Sequence, residues 1–133
     1  MQAMRFIKIG VIALVAAAAG AGAGWAFDEK PFDAKAFAAA QDAGKPILID
    51  ALAPWCPVCK AQQQVLGTLQ PDAKYDAVTV FKIDYDNQPD ALKSLDVRKQ
   101  STLIAFKGKA ETGRSVGDTQ QSSITALVDS ALN

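Results

Sequence analysis

Histidine is absent from all 133 residues, and cysteine occurs only twice. Without histidine there can be no Ser-His-Asp or Cys-His nucleophile system and no zinc site that relies on imidazole. Two cysteines are too few for a four-thiolate metal site within one chain. Net charge is missing as well: 14 Lys plus Arg balance 14 Asp plus Glu. With no basic cluster in the body of the chain, nothing offers nucleic acid an electrostatic footprint. No internal repeat or low-complexity run is visible, and the length suits a single modest core.

Residues 1–26 differ from the rest. Arg5 and Lys8 precede an apolar run from Ile9 to Ala19, and small residues follow, ending in Ala21-Gly22-Ala23 and Gly24-Trp25-Ala26. This is the outline of a cleavable secretory signal. The competing reading is an uncleaved membrane anchor, because the uncharged stretch runs on to Phe27. Its Ala- and Gly-rich second half contributes little to insertion, which favours the signal. Under either reading the positive residues stay inside, and residues 27–133 are expected outside the cytoplasm, in the periplasm. Without the first 23 residues the chain carries 12 basic and 14 acidic side chains. Thiols in an oxidising compartment pair unless something keeps them reduced.

Residues 27–133 read as one α/β domain. Asp33 followed by Ala34 to Ala40, with Gly44 beyond, predicts a capped helix. Ile47 to Leu52 predicts a buried strand, and helical spacing begins at Cys56 and continues through Cys59, Gln62, Gln63, Leu66 and Leu69 until Pro71. Val78 to Asp84 is a second strand, Pro89 to Leu95 a short helix, and Thr102 to Phe106 a third strand. Lys107-Gly108-Lys109 then turns into a weak fourth strand from Glu111 to Val116. Gly117-Asp118 is expected to cap a last helix with one apolar stripe, Ile124, Leu127, Val128, Ala131 and Leu132. The order α-β-α-β-α-β-β-α predicts a central mixed sheet of about four strands with helices on both faces. Strands separated by helices are expected to run parallel, and the final hairpin to add an antiparallel edge.

Chemistry concentrates in Pro54-Trp55-Cys56-Pro57-Val58-Cys59-Lys60, between the first predicted strand and the next helix. Two thiols three positions apart at a helix start face each other across one turn. Unpaired N–H groups and the helix dipole favour an anion at the first, which marks Cys56 as the exposed nucleophile. Cys59, one turn further in and less exposed, is placed to resolve the mixed disulfide. Pro57 fits the first turn, where its missing N–H costs nothing. A purely structural bridge is the competing reading, but closing four residues yields only about 2 kcal/mol, against roughly 3 kcal/mol for a 15-residue loop. Half of a metal site shared between two chains is a further alternative. A C-x-x-C that follows a buried strand and opens a helix points to thiol–disulfide exchange.

From Phe32 to Leu132 the chain resembles the thioredoxin superfamily. Ile47-Leu48-Ile49-Asp50 leads into Ala53-Pro54-Trp55-Cys56-Pro57-Val58-Cys59-Lys60 as that family's first central strand leads into its W-C-x-x-C-K site. More narrowly, it is similar to small secreted bacterial thioredoxin-like proteins with a W-C-P-x-C-K site. The resemblance matches Asp50 to a buried carboxylate behind the second cysteine, Lys82 to a lysine on the neighbouring strand, and Phe106 with Gly108 to the closing hairpin. A carboxyl buried there would have a raised pKa and relay the Cys59 proton; alternatively it is a strand-end carboxylate facing water. Lys82 either tunes that carboxylate or is a solvated edge residue, and Trp55 is either a lid beside the site or core. One position departs from the family: Ser101, before Thr102, stands where thioredoxins carry a cis-proline facing the cysteine pair. A non-proline cis bond costs about 2.5 to 4 kcal/mol, so a trans Gln100-Ser101 bond is expected. That change would re-aim the backbone groups of Ser101 and Thr102, which in the family receive an extended substrate peptide. The Ser101 hydroxyl would either donate to Cys56, leave the pair open to a metal, or belong to an ordinary loop.

The resemblance implies a monomeric protein-disulfide oxidoreductase of the periplasm, needing no cofactor, acting on protein thiols and disulfides and more reductase than oxidase. A reductase there requires an electron donor from the membrane. The intervening Pro57-Val58 resembles the Pro-first dipeptides of oxidising members but lacks their histidine. The alternative is a binding module that holds a soft metal, copper or a shared cluster, on the same two thiolates.

Overall fold

The computed structural model describes residues 27–133; the predicted secretory segment, 1–26, lies outside the described residues. Five strands and four α-helices follow one another as β1 (Asp28–Pro31), α1 (Ala34–Asp42), β2 (Pro46–Leu52), α2 (Pro57–Leu69), β3 (Thr79–Asp84), α3 (Pro89–Ser94), β4 (Thr102–Lys107), β5 (Ala110–Val116) and α4 (Gln121–Ser130). A short 3-10 turn, Ala73–Tyr75, joins α2 to β3. The strands form one mixed sheet in the order β1-β3-β2-β4-β5.

Strand periodicity sorts the core into two layers. Along β2, Ile47, Ile49 and Ala51 face one way, into a cluster with Phe37 and Ala40 of α1, Ala91 of α3, Phe81, Ile83 and Ile104. Leu48 faces the other way, among Leu66 and Leu69 of α2, Ile124 and Val128 of α4, Val80 and Leu103. Helices therefore cover both faces, as the alternation requires. Asp50 has the parity of Leu48 and lies on the α2 face. Lys82 has the parity of Val80, and Glu29 pairs in register with Val80, so both lie on that face too.

Three expectations are corrected. The sheet has five strands, because β1 precedes the first helix and pairs parallel with β3. Four residues, three of them charged and the last a proline, make an edge strand without a hydrophobic run to betray it. Second, β4 runs antiparallel to β2, although a helix separates it from β3. The six residues of α3 rise only about 9 Å, half the roughly 20 Å length of a six-residue strand. The chain re-enters the sheet at the end it left, with Asp84 opposite Leu52 and Thr102 opposite Ala51. Third, the N-cap position of α4 is Gln120, whose side chain makes no capping bond, and not Gly117-Asp118; the Asp118 carboxylate accepts from Gln120 N–H at 2.9 Å in the preceding turn. The hairpin between β4 and β5 turns at Gly108, whose φ of +59° suits a residue without Cβ.

Candidate functional site

The carboxyl ends of the two central parallel strands, β2 and β3, converge where α2 begins. β2 ends at Leu52, the chain turns through Ala53-Pro54-Trp55, and Cys56 N–H closes the turn on Ala53 O at 3.2 Å. Cys56 is the N-cap of α2: its backbone is extended (φ −93°, ψ 108°), Pro57 opens the helix, and its sulfur accepts from Cys59 N–H at 3.1 Å. A sulfur thus does the work usually done by a serine or aspartate oxygen, satisfying one of the orphan donors of the first turn. Cys56 and Cys59 are joined as a disulfide, with their Cα atoms 5.3 Å apart.

The expected contrast between an exposed first sulfur and a shielded second is absent from this oxidised form. Cys56 is 1% exposed and Cys59 2%. Both pack with Ala53, Leu52 and Tyr85, and the cap bond holds the Cys56 sulfur inward, over the helix start. What surrounds them is accessible. Pro54, Trp55, Pro57 and Val58 are exposed, and Trp55 donates its indole N–H to both carboxylate oxygens of Asp86, at 3.1 and 3.0 Å. Its ring meets Tyr85 edge to face, 6.5 Å between centroids. Trp55 is therefore an exposed side chain tethered to Asp86, next to Cys56 in the chain, and not a core residue.

Asp50 is fully buried on β2. Burial lifts its carboxyl to about 6; the Gln63 amide and the charge of Lys82 oppose the rise, and Glu29 adds to it. Gln63 Nε2 donates to Oδ2, while Oδ1 has no partner among the described residues. Lys82 is the register partner of Asp50 across the β2–β3 ladder, but its ammonium pairs with Glu29 at 2.9 Å. It is not an edge residue, since β1 covers β3, and it acts on Asp50 through its field rather than by contact. Beside these groups opens a cleft of about 540 Å³, with Leu52, Pro54, Cys59, Gln63, Lys82 and Glu29 among its walls.

On the other side of α2, Ser101 lies at the mouth of β4 with a left-handed backbone, φ +61°. Every peptide bond among the described residues is trans, that of Gln100-Ser101 included. Ser101 N–H donates to Ala51 O at 2.8 Å, and its carbonyl accepts from Gly117 N–H at 3.0 Å and Gln62 Nε2 at 3.0 Å. Gln62 Nε2 also donates to Asp118 O at 2.9 Å. The Ser101 hydroxyl donates to the Gln100 carbonyl and Thr102 Oγ1 to Lys99 O, so neither hydroxyl is spent on the cysteines. Both residues are buried, and the N–H and carbonyl of Ser101 are spent on bonds within the fold.

The structure thus brings Trp55, Cys56, Pro57, Cys59, Asp50 and Lys82 to one end of the sheet, with Ser101 and Thr102 on the flank. Sequence reasoning missed Glu29, Gln62, Gln63 and Asp86. A signal existed for the two glutamines: they fall on the same helical stripe as Cys59, Leu66 and Leu69, and a polar side chain on a buried stripe must find partners. Glu29 and Asp86 carried none, being charges on short exposed segments. No group of three or more metal-ligating side chains occurs among the described residues, and the two sulfurs are bonded to each other, so the soft-metal reading gains no support.

Comparison with known proteins agrees with this geometry. The thioredoxin family profile matches residues 28–130. The thioredoxin of Chlamydia trachomatis serovar D is 38% identical over 82 residues, 62% of this chain and 78% of that protein. That of Acidithiobacillus ferridurans is 35% identical over 89 residues, 66% of this chain and 81% of its own. Among solved structures, Trxlp from Edwardsiella tarda EIB202 aligns with a TM-score of 0.73 at 38% identity, covering 76% of this chain and 98% of that one. Thioredoxin O2 from Arabidopsis thaliana, in its oxidised state, aligns with a TM-score of 0.67 at 26% identity, covering 81% and 96%.

Proposed function

Because the chain belongs to the thioredoxin family and is a thiol–disulfide oxidoreductase with Cys56 and Cys59 as its redox pair, we propose that it reduces disulfides of protein substrates outside the cytoplasm, as a monomer recharged by a membrane electron donor. The observation that carries the mechanism is the Cys56 sulfur capping α2. In the reduced protein the same N–H, with the helix dipole, favours a thiolate there.

The Cys56 thiolate attacks one sulfur of a substrate disulfide, and the other sulfur leaves as a thiolate. Cys59 then gives its proton to the Asp50 carboxylate. Its sulfur attacks Cys56, the second substrate sulfur departs, and the Cys56–Cys59 disulfide forms. Two electrons have passed from the dithiol to the substrate. A proton acceptor with a pKa of about 6 is mostly ionised at neutral pH and still basic enough for the work. Lys82 tempers the cost of that buried charge.

A protein substrate suits the surface. The exposed large apolar side chains among the described residues are Trp55, Val58 and Val116. The first two flank Cys56, and Val116 pairs with Thr102 at the foot of the Ser101 loop. An extended chain lying between them would rest on these apolar side chains, because the Ser101 N–H and carbonyl are already bonded within the fold. The apolar segment after Arg5 and Lys8 supports export, and the lack of histidine between the cysteines together with the Asp50–Lys82 background supports the reducing direction.

Direction is tested by the reduction potential: a value near roughly −270 mV assigns a reductant, and one near roughly −120 mV would overturn that assignment. The roles are tested by substitution. Cys56→Ser is expected to abolish insulin-disulfide reduction and Cys59→Ser to accumulate covalent partners; normal turnover of Cys59→Ser would refute them.

A further inference from the structure

The acceptor in this reaction is held by a residue of its own chain whose part in the chemistry has not been assigned. Asp50 has no water-facing atom, and its Oδ1 has no partner among the described residues. An ionised carboxylate in such a place is costly unless something donates to it. The groups that face it are few. β3 contributes the Lys82 ammonium, already engaged by Glu29 of β1; β4 contributes only Leu103 at the paired position; α2 contributes Gln63. Gln63 supplies the hydrogen bond made to the carboxylate, Nε2 to Oδ2. It stands four residues beyond Cys59, on the same helical face, and both line the cleft beside the site. Gln63 therefore lies between the buried carboxylate and the solvent-filled side of the molecule, half-buried where Asp50 is wholly so.

We propose that Gln63 is a positioning residue for Asp50: its amide holds the carboxylate ionised and fixed beneath the first turn of α2, ready to take the Cys59 proton. The inference rests on the reading of Asp50 as proton acceptor. The amide does this without adding a charge, so it biases the carboxyl toward ionisation while leaving the field of the Lys82–Glu29 pair unchanged. Its donor is spent on the acceptor and not on the helix, which distinguishes it from Gln62, whose amide bonds the loop carbonyls of Ser101 and Asp118.

The test replaces Gln63 with Met, which keeps length and helix preference but removes the donor, and with Leu as a second apolar variant. The Asp50 carboxyl is titrated directly by carbon NMR in the oxidised protein, where the cysteines do not ionise. Both variants are expected to bind the Asp50 proton at least about tenfold more tightly, a titration midpoint higher by about one pH unit or more. The acid limb of the disulfide-reduction pH profile should move up in step. A midpoint unchanged in a folded variant would overturn the proposal, whatever the rates do, since loosened packing alone would not leave proton affinity fixed while the donor is gone. Asp50→Asn separates the two ideas. If that variant kept the wild-type acid limb, Asp50 would not be the acceptor, yet the NMR midpoint would still decide what Gln63 does to it.

Discussion

Asp50→Asn in the oxidised protein should convert a pH-dependent stability into a flat one. Burial raises the Asp50 carboxyl from 3.8 to about 6. In the unfolded chain it returns to the ordinary value of about 3.9. Between these values the folded protein binds a proton that the unfolded chain has lost, so stability is full below about pH 4 and falls as pH rises through about 6. Two pKa units at 1.36 kcal/mol each come to about 3 kcal/mol, of which about 2 to 3 kcal/mol should be lost between about pH 4 and about pH 7.5. Few other groups intrude in that window. The chain has no histidine, and the two cysteines are joined. Urea unfolding of wild type and Asp50→Asn under non-reducing conditions reads the effect as a difference. The variant should gain on wild type by about 2 to 3 kcal/mol from the acid to the neutral end, whatever constant offset the amide brings. A gap between the two proteins that stays level across this range would refute the account of Asp50 as a carboxyl raised by burial.

Three further substitutions concern the loop around Ser101. Ser101→Pro, which restores the residue typical of the family, should lower stability by about 2 kcal/mol or more, because the ring requires φ near −65° and deletes the buried N–H that bonds Ala51 O. Ser101→Gly should instead be neutral or raise stability by up to about 1 kcal/mol, since a left-handed backbone costs a serine more than a glycine; thermal melts of the pair that came out in the opposite order would refute this geometry. Gln62→Leu removes two hydrogen bonds to loop carbonyls, and a loss of about 1 to 2 kcal/mol is expected in urea unfolding, along with faster amide exchange at Gly117. Unchanged exchange there would show that Gln62 does not pin the loop.

What could be read from the chain was what is local. Cys56, Pro57 and Cys59 declare a helix start and a thiol pair within four residues, and the apolar run Ile47 to Leu52 gives the buried strand, while the burial of Asp50 was open between the resemblance and a water-facing strand end. The alternation of clusters on either side of β2 follows from a strand's period of two. What escaped depends on pairing between distant segments. Nothing in Asp28-Glu29-Lys30-Pro31 says strand until β3 offers it an edge, and with that edge comes Glu29 to take the ammonium of Lys82. The direction of β4 likewise depends on its pairing with β2, which the local pattern around α3 does not show.

The same division explains why the carboxylate was legible and its partner was not. Asp50 interrupts an apolar strand and so stands out, whereas Gln63 follows Gln62 and precedes Gln64, three alike in sequence. Helix geometry separates them: Gln62 is buried toward the Ser101 loop, Gln63 reaches back over β2, and Gln64 faces water. A hundred degrees of rotation per residue thus gives neighbouring glutamines different tasks. One anchors the loop carbonyls of Ser101 and Asp118, and the next bonds the buried Asp50 carboxylate, both from a single turn of α2.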